Sequence, residues 1–269
     1  MRCAVLGDPI GHSLSPVIHR AAYAAIGLDW SYGAERVPSG GLAGFVAGLD
    51  DSWRGLSVTM PLKREALALG EPVTDLARLA GAANTLVRRA DGWLVDNTDV
   101  PGAAAAIRER HAGRIRRTAI WGGGATATAA VFAAAHLGCR SIDVLARDGE
   151  RAAETLAAAR RYEDAMGARL DVRVLPLGEP VDVDLLVSTI PAAAQPRHLP
   201  SVHRAETVLD AVYDPWPTPV AEWATARGLT VVSGLDLLVR QAALQFLLFT
   251  GREAPVAAMR GAGERALGG

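Results

Sequence analysis

Lys63 and Asp99 are a lysine and a carboxylate that could move a proton together. Lys63 follows Thr59-Met60-Pro61, and Asp99 follows Asn97-Thr98. A lysine can donate a proton to an oxygen that becomes negatively charged during a reaction, and a neighbouring carboxylate can position the lysine and tune its pKa. The two groups would then titrate as a coupled pair. Taken alone, each has a plainer interpretation, Lys63 as a solvated residue and Asp99 as a helix cap.

A glycine-rich turn near the middle of the chain fits the pattern G-x-G-x-x-A. It follows a predicted strand at 118–121 and opens a predicted helix, which is the context that a dinucleotide site needs. The first glycine allows the turn, the second lets backbone approach a pyrophosphate, and the last small residue lets the helix pack on the strand. Phosphates would bind the free N–H groups of the helix N-terminus. The predicted cofactor-binding residues are Gly122, Gly123, Gly124, Ala125, Thr126 and Ala127, and the alternative is a plain tight turn.

Arg147 and Arg151 favour NADP over NAD as the cofactor. Arg147 leaves the end of the second strand of this unit, where NAD enzymes usually carry an acid for the ribose 2′-hydroxyl. Arg151 lies one helical turn further on the same side. Two guanidinium groups suit a 2′-phosphate in charge and in bidentate geometry. The alternative is a pair of solvated surface arginines, and Asp148 would oppose a phosphate if its side chain pointed inward.

The elements that must position these residues are strands alternating with helices. In the first part we expect strands at 1–7, 30–37 and 55–58, and a hairpin of strands at 83–88 and 92–95. Helices are expected from Ser15, as N-cap before Pro16, from Thr59 to about 69, and from Asp99 to near 113. Strands are then expected at 118–121, 141–146, 171–175, 185–188, 207–211 and 230–232, with helices at 126–137, 150–166 and 236–250. This spacing predicts a parallel, doubly wound sheet.

Composition excludes several other classes of protein. Among 269 residues, 28 Lys and Arg nearly balance 29 Asp and Glu, which argues against a nucleic-acid partner. Cys3 and Cys139 match no metal or redox spacing, and a disulfide scaffold is excluded by their number. The N-terminal apolar run is too short for a signal peptide, and the segment 235–250 is too short and too polar to span a bilayer. We expect a cytoplasmic protein with no metal, nucleic-acid or membrane partner.

Four short motifs precede the glycine turn, and their order along the chain is more informative than any one of them. They are Gly11-His12-Ser13-Leu14-Ser15-Pro16, Ser57-Val58-Thr59-Met60-Pro61-Leu62-Lys63, Gly81-Ala82-Ala83-Asn84-Thr85 and Asn97-Thr98-Asp99-Val100-Pro101-Gly102. Later segments continue the pattern, namely Asp210-Ala211-Val212-Tyr213-Asp214-Pro215, Thr218-Pro219 and Gly234-Leu235-Asp236-Leu237-Leu238-Val239-Arg240-Gln241-Ala242. Together with the glycine turn, these motifs resemble the shikimate dehydrogenase family along nearly the whole chain.

The resemblance implies a role for each matching residue. Ser13 and Ser15 match the hydroxyls that hold the substrate carboxylate, and Lys63 and Asp99 match the catalytic pair. Groups that bond the ring hydroxyls are matched by Thr59, Asn84, Asp99 and Gln241. Tyr213 matches a residue near the substrate carboxylate, Gly234 a glycine near the nicotinamide, and Arg147 and Arg151 the clamp on the adenosine phosphate. We also assign Thr189 to the cofactor site.

The chain departs from the family pattern at several positions. Ser57 stands where the family usually has Asn, which puts one substrate hydrogen bond in doubt. Ala146 and Asp148 replace the usual residues around Arg147, while Ala125 and Thr128 replace a glycine and an arginine after the glycine turn. The differences at Ala146 and Thr128 bear on the strength of cofactor binding more than on the identity of the cofactor.

These inferences predict an α/β protein of two domains, an N-terminal α/β substrate domain and a Rossmann-type doubly wound NADP-binding domain, with C-terminal helices returning to the first domain. The expected bounds are 1–100 plus 237–269 for the substrate-binding and catalytic domain, and 101–236 for the NADP-binding domain. The resemblance implies reversible reduction of 3-dehydroshikimate to shikimate with NADPH, a step of chorismate and aromatic amino-acid biosynthesis, by a monomer or homodimer. The alternatives are a broader quinate/shikimate dehydrogenase and, more remotely, an inactive NADP- or metabolite-binding regulator. Ser13-x-Ser15 favours shikimate over quinate.

Overall fold

The computed structural model describes residues 1–147 and 149–268, except for the side chain of Arg151. The chain forms two compact units. Unit 1 comprises Met1–Thr98 and Leu238–Gly269, and unit 2 comprises Asp99–Leu237. The predicted α/β class is confirmed, and the C-terminal segment groups with the N-terminal one. Within the described residues, no helix is both long enough and apolar enough to cross a membrane.

Unit 1 is built on a mixed sheet. Its N-terminal elements are β1 (Arg2–Gly7), α1 (Ser15–Ala25), β2 (Ser31–Arg36), α2 (Leu42–Ala47), β3 (Trp53–Val58), α3 (Asp75–Ala80), β4 (Thr85–Arg89) and β5 (Gly92–Asp96). The strand order is β2-β1-β3-β4-β5. β1 pairs in parallel with β2 and β3, whereas β4 pairs antiparallel with β3 and β5. The hairpin prediction is therefore confirmed, and the carboxyl ends of β1, β3 and β5 lie at one edge of the sheet together with the start of β4.

The helix predicted from Thr59 is wrong. The chain there forms a turn and a short 3-10 helix, Glu65–Ala68. The physical reason is a tertiary hydrogen bond, because the carbonyl of Lys63 accepts the backbone N–H of Ala83 at 2.7 Å. That carbonyl would have accepted an N–H four residues later in an α-helix. Gly70 then packs on Trp93 so closely that a Cβ atom at residue 70 would meet the Trp93 backbone.

Unit 2 contains the predicted parallel sheet. Its elements are α4 (Asp99–Arg110), β6 (Arg117–Trp121), α5 (Ala125–His136), β7 (Ser141–Ala146), α6 (Gly149–Met166), β8 (Asp171–Pro176), β9 (Val181–Asp182), β10 (Leu185–Ser188), β11 (Val202–Arg204), β12 (Thr207–Asp210), α7 (Pro219–Thr225) and β13 (Thr230–Val232). The main sheet has the order β13-β12-β10-β6-β7-β8, and its neighbouring strands are parallel. The chain moves outward from β6 to β8 and then resumes at β10 on the other side of β6. Such a reversal of strand order is the place where doubly wound sheets bind ligands.

Two helices complete the chain. α8 (Gly234–Thr250) begins near the predicted position, and α9 (Val256–Gly268) follows it. The division between the units falls within α8, after Leu237. α9 packs against α1 in unit 1. The short helices α2, α3 and α7 are not among the predicted elements, because six or seven residues give too little periodicity to identify a helix.

Candidate active site

The predicted substrate motifs of unit 1 meet at the carboxyl edge of its sheet. Ser13 and Ser15 follow β1, Thr59 follows β3, Asn84 immediately precedes β4, and Thr98 follows β5. The directions of the strands bring all these positions to the same edge. Four separate stretches of sequence are therefore neighbours for a topological reason, and the edge carries hydroxyl and amide groups suited to a polyhydroxylated ligand.

Asn84 is the centre of a buried polar cluster at this edge. Its side-chain oxygen accepts the backbone N–H of Thr98 and the hydroxyl of Thr85, each at 2.8 Å. Its amide nitrogen donates to the Thr98 hydroxyl at 3.0 Å and to Oε1 of Gln241 at 3.2 Å. Asn84 is 2 % exposed and Gln241 is 8 % exposed. The cluster brings together two predicted substrate residues that are separated by more than half the chain.

Ser13 and Ser15 lie in the loop after β1, but Ser15 is not the helix cap that the sequence predicted. The N-cap of α1 is Leu14, which provides no side-chain cap, and Pro16 lies in the first turn. Instead, the hydroxyl oxygen of Ser13 accepts the backbone N–H of Ser15 at 3.3 Å. Since the hydroxyl of Ser15 is not engaged in capping, it stays suited to the carboxylate-binding role that the resemblance implies.

Thr59 and Lys63 are half-buried in the turn after β3. The N–H of Thr59 donates to the Leu6 carbonyl at 2.8 Å, and the N–H of Asp8 donates to the Met60 carbonyl at 3.0 Å. At residue 7, a Cβ atom would come within 2.8 Å of the Met60 carbonyl oxygen, so Gly7 permits this close approach. The bond from Ala83 to the Lys63 carbonyl fixes the backbone from which the lysine side chain extends.

Asp99 is the first residue of α4 and belongs to unit 2. Its side chain is half-buried and lines a mostly apolar pocket within this unit. The other lining residues come from α4, α5, the strands β10 and β12 and the start of α8, namely Ala103, Ile107, Thr126, Ala129, Ala130, Val187, Leu209 and Leu237. A carboxylate in such surroundings is suited to orienting a cation. The pairing of Asp99 with Lys63 stays a prediction.

The glycine turn has the backbone geometry that a pyrophosphate requires. Gly122 adopts φ +117°, in the region that favours glycine, and its N–H donates to the Leu145 carbonyl at 2.9 Å. Gly124 is the N-cap of α5 and provides no side-chain cap. A Cβ atom at residue 124 would have no neighbour within 4 Å, so the start of α5 is open on that side. The uncapped N–H groups and the positive end of the helix dipole fit a bound phosphate.

Threonines surround the glycine turn. The Thr189 hydroxyl donates to the Trp121 carbonyl at 2.8 Å, which holds the end of β10 beside the end of β6. The hydroxyls of Thr128 and Thr155 lie 2.8 Å apart, and Thr155 donates to the Gly123 carbonyl at 3.2 Å. Thr128, where the family usually has arginine, thus links α5 to α6. No local pattern in the sequence identified the role of Thr155, because it depends on helix packing.

Arg147 follows the last residue of β7 directly, and its side chain is exposed. Ala146, which precedes it, is buried. The predicted roles of Asp148 and of the Arg151 side chain lie outside the described residues. The position of Arg147 at the carboxyl end of the strand next to β6 is the one expected for a group that binds the adenosine ribose.

The loop that carries Tyr213 is held by a buried carboxylate. Asp210, fully buried, accepts the Thr218 hydroxyl at 2.6 Å, the Gln195 amide at 2.8 Å and the N–H of Val212 at 3.2 Å. Burial raises the pKa of Asp210, and these hydrogen bonds partly oppose the rise.

Gly234 packs against the backbone of the loop that carries Tyr213. A Cβ atom at residue 234 would come within 2.6 Å of the Val212 carbonyl, so the close packing requires glycine at this position. Tyr213 and Gly234 are thus near each other in unit 2, as two of the predicted ligand-contacting positions.

Sequence and structural comparisons identify the family. The Shikimate dehydrogenase substrate binding domain matches residues 5–86, and the Shikimate 5'-dehydrogenase C-terminal domain matches residues 234–262. The Shikimate dehydrogenase (NADP(+)) of Synechocystis sp. is 36% identical over 271 residues, which cover 95% of this chain and 92% of that protein. The chain belongs to the shikimate dehydrogenase family. The resemblance predicted from the motifs is therefore confirmed.

Solved structures of shikimate dehydrogenases share the fold. The Mycobacterium tuberculosis enzyme superposes with a TM-score of 0.86 at 38% identity, covering 98% of this chain and 99% of the other. The Thermus thermophilus enzyme, solved in complex with NADP(H) and shikimate, superposes with a TM-score of 0.84 at 32% identity, covering 99% and 100% of the two chains. The similarity extends across both units of this shikimate dehydrogenase family member.

Proposed function

We propose that this protein catalyses the reversible, NADP-dependent reduction of 3-dehydroshikimate to shikimate, a step of chorismate and aromatic amino-acid biosynthesis. The observation that carries the proposal is the buried cluster of Asn84, Thr98 and Gln241 in a chain that also has an uncapped glycine turn. Amide and hydroxyl groups held at fixed positions suit a ring with several hydroxyls. Membership of the shikimate dehydrogenase family supports this choice of substrate.

The proposed cofactor site lies in unit 2. We assign to it Gly122, Gly123, Gly124, Ala125, Thr126, Ala127, Arg147, Arg151, Thr189 and Gly234. The N–H groups at the start of α5 would hold the pyrophosphate, and Arg147 would neutralise the 2′-phosphate. Bound NADPH supplies the hydride that reduces the substrate carbonyl.

The proposed substrate site uses Ser13, Ser15, Thr59, Asn84, Asp99, Tyr213 and Gln241. Serine hydroxyls donate charge-assisted hydrogen bonds to the substrate carboxylate, so no arginine is needed there. Asn84 and Gln241 orient the ring hydroxyls. The hydrogen bond of 3.2 Å between their side chains fixes both groups in place before the substrate binds. Unit 1 accordingly carries most of the substrate contacts, and unit 2 binds the cofactor.

Lys63 and Asp99 are the proposed catalytic pair. The Lys63 ammonium donates a proton to the oxygen that becomes the new hydroxyl, and the Asp99 carboxylate orients the ammonium. In the reverse direction the pair takes the proton from that hydroxyl. Holding the substrate by several fixed groups supplies the orientation that hydride and proton transfer both need.

A matrix of initial rates tests the proposal. Shikimate and quinate are each offered with NADP⁺ and with NAD⁺, and formation of reduced cofactor is followed by absorbance. We expect the highest kcat/KM for shikimate with NADP⁺. Comparable rates with quinate would favour a broader quinate/shikimate dehydrogenase instead. If the purified, folded protein showed no turnover, the inactive NADP- or metabolite-binding regulator would be favoured.

We further propose that the protein is cytoplasmic and acts as a monomer or homodimer. The two cysteines are free and buried, which suits a reducing compartment. Light scattering coupled to size-exclusion chromatography will give the mass in solution, and a mass beyond that of a dimer would contradict the proposed assembly.

A further inference from the structure

Gln245 connects α8 to two strands of the unit 1 sheet. Its side-chain oxygen accepts the Ser57 hydroxyl of β3 at 2.7 Å. Its amide nitrogen donates to the Asn84 carbonyl at 3.1 Å and to the Thr85 hydroxyl at 3.0 Å. Gln245 is 1 % exposed, so each of these bonds is shielded from water. Such bonds are stronger in a buried site, and a broken one leaves a costly unpaired group.

The hydrogen bonds run in one direction through this network. The hydroxyl of Tyr32 donates to Ser57, and Ser57 donates to Gln245. Gln245 donates to Thr85, which in turn donates to the side-chain oxygen of Asn84. Every link lies within unit 1. This series of hydrogen bonds therefore connects the aromatic interior around Tyr32 to Asn84, a predicted substrate residue.

Gln241 lies one helical turn before Gln245, on the same face of α8. Its side-chain oxygen accepts from Asn84, and its amide nitrogen donates to the Leu238 carbonyl at 3.0 Å. A primary amide has two N–H groups, so the second can donate to a ligand hydroxyl. The geometry that offers this donor depends on how firmly α8 is held against the start of β4.

We propose that Gln245 is a positioning residue for substrate binding. It anchors α8 to β3 and β4, and so fixes the distance and the donor–acceptor sense of the Asn84–Gln241 pair. Ser57, a serine where the family usually has asparagine, serves in this chain as the β3 partner of Gln245 and not as a substrate contact. This inference rests on the proposed function, because it assigns Asn84 and Gln241 to shikimate.

Gln245→Met tests the inference, since methionine keeps the length of the side chain but cannot form these hydrogen bonds. We expect KM for shikimate to rise about threefold to tenfold, the effect of losing roughly one neutral hydrogen bond to the substrate. KM for NADP⁺ should stay within about twofold of its original value. Thr85→Val interrupts the same path at the next link and should raise KM for shikimate similarly. The double variant should show much less than the product of the two effects, because both act through one path.

A matched control separates positioning from general loss of stability. The hydroxyl of Thr74 caps α3 in unit 1 by accepting the N–H of Ala77 and donates to the Asp96 carboxylate at 2.7 Å. It makes no hydrogen bond to Gln245 or Thr85, the two residues substituted above. Thr74→Ala should lower the melting temperature but leave KM for shikimate unchanged.

If Gln245→Met and Thr74→Ala lower stability alike and neither changes KM for shikimate, Gln245 has only a structural role and the inference fails. If Gln245→Met does not fold, Thr85→Val alone decides between the same outcomes. Absence of shikimate turnover in the unmodified protein would instead overturn the proposed function, and this inference with it.

Discussion

The buried histidine His19 gives a quantitative prediction about acid stability. It is fully buried in α1, and its ring stacks on Tyr32 with centroids 4.2 Å apart. Among the described residues, no group hydrogen-bonds to either ring nitrogen. Burial lowers the pKa of His19 from 6.5 to about 3, and the nearby Gln245 side chain offsets only part of this shift. The native protein therefore keeps the imidazole neutral over the whole mildly acidic range.

The sign of the effect follows from the unfolded chain, which binds a proton at His19 below pH 6.5 while the native protein does not. Stability is complete above that pH and falls as the pH decreases towards about 3. At pH 5 the unfolded state gains about 2 kcal/mol, since each pH unit is worth about 1.4 kcal/mol. His19→Leu removes this titration, so the free-energy difference between variant and original protein should shift by about 2 kcal/mol in favour of the variant from pH 7 to pH 5.

Urea unfolding followed by tryptophan fluorescence at both pH values measures this shift. Any cost of replacing the stacked ring cancels, because it is present at pH 7 and at pH 5. His203 is exposed, and His203→Gln serves as the matched control, with a profile parallel to that of the original protein. Parallel profiles for His19→Leu as well would refute the reasoning, because they would mean that the native imidazole accepts the proton.

Three further substitutions test the site. Lys63→Ala should reduce kcat about 10²- to 10⁴-fold, the usual contribution of a general acid–base residue, and near-original turnover in steady-state assays would remove Lys63 from the mechanism. Arg147→Ala should weaken NADPH binding roughly tenfold to a hundredfold but leave NADH binding unchanged, as measured by fluorescence titration; equal losses for both would contradict the 2′-phosphate assignment. Asp210→Asn should lower the free energy of unfolding by about 1–3 kcal/mol in urea titrations, because the buried donors of Thr218 and Gln195 lose a charged acceptor. An unchanged unfolding midpoint would show that the loop does not depend on the carboxylate.

The amino-acid sequence determined the architecture of unit 2 almost strand by strand. The strands of its main sheet and the helices α4, α5 and α6 match predicted segments, so local preference and tertiary structure agree there. The elements β9, β11 and α7, of two, three and seven residues, are too short to be predicted. The strand predicted at 185–188 is β10, Leu185–Ser188, without any difference in bounds. The glycine turn could also be predicted from the sequence, because the conformation of Gly122 is one that favours glycine.

Tertiary structure decided the local conformation and the side-chain hydrogen bonds wherever the local sequence preference is weak or is overruled. The residues after Thr59 have a helical pattern, yet the hydrogen bond from Ala83 to Lys63 replaces the helical one. Gln245 carried no signal of its own in the sequence, and its hydrogen bond to Ser57 spans 188 positions of the chain. Sequence periodicity reports only neighbours along the chain, and hydrogen bonds between distant segments exist only after the sheet edge and α8 have come together. The sequence by itself thus determined the family, the sheet of unit 2 and the candidate residues, whereas the contacts that hold Lys63, Asn84 and Gln241 in place were decided by the fold.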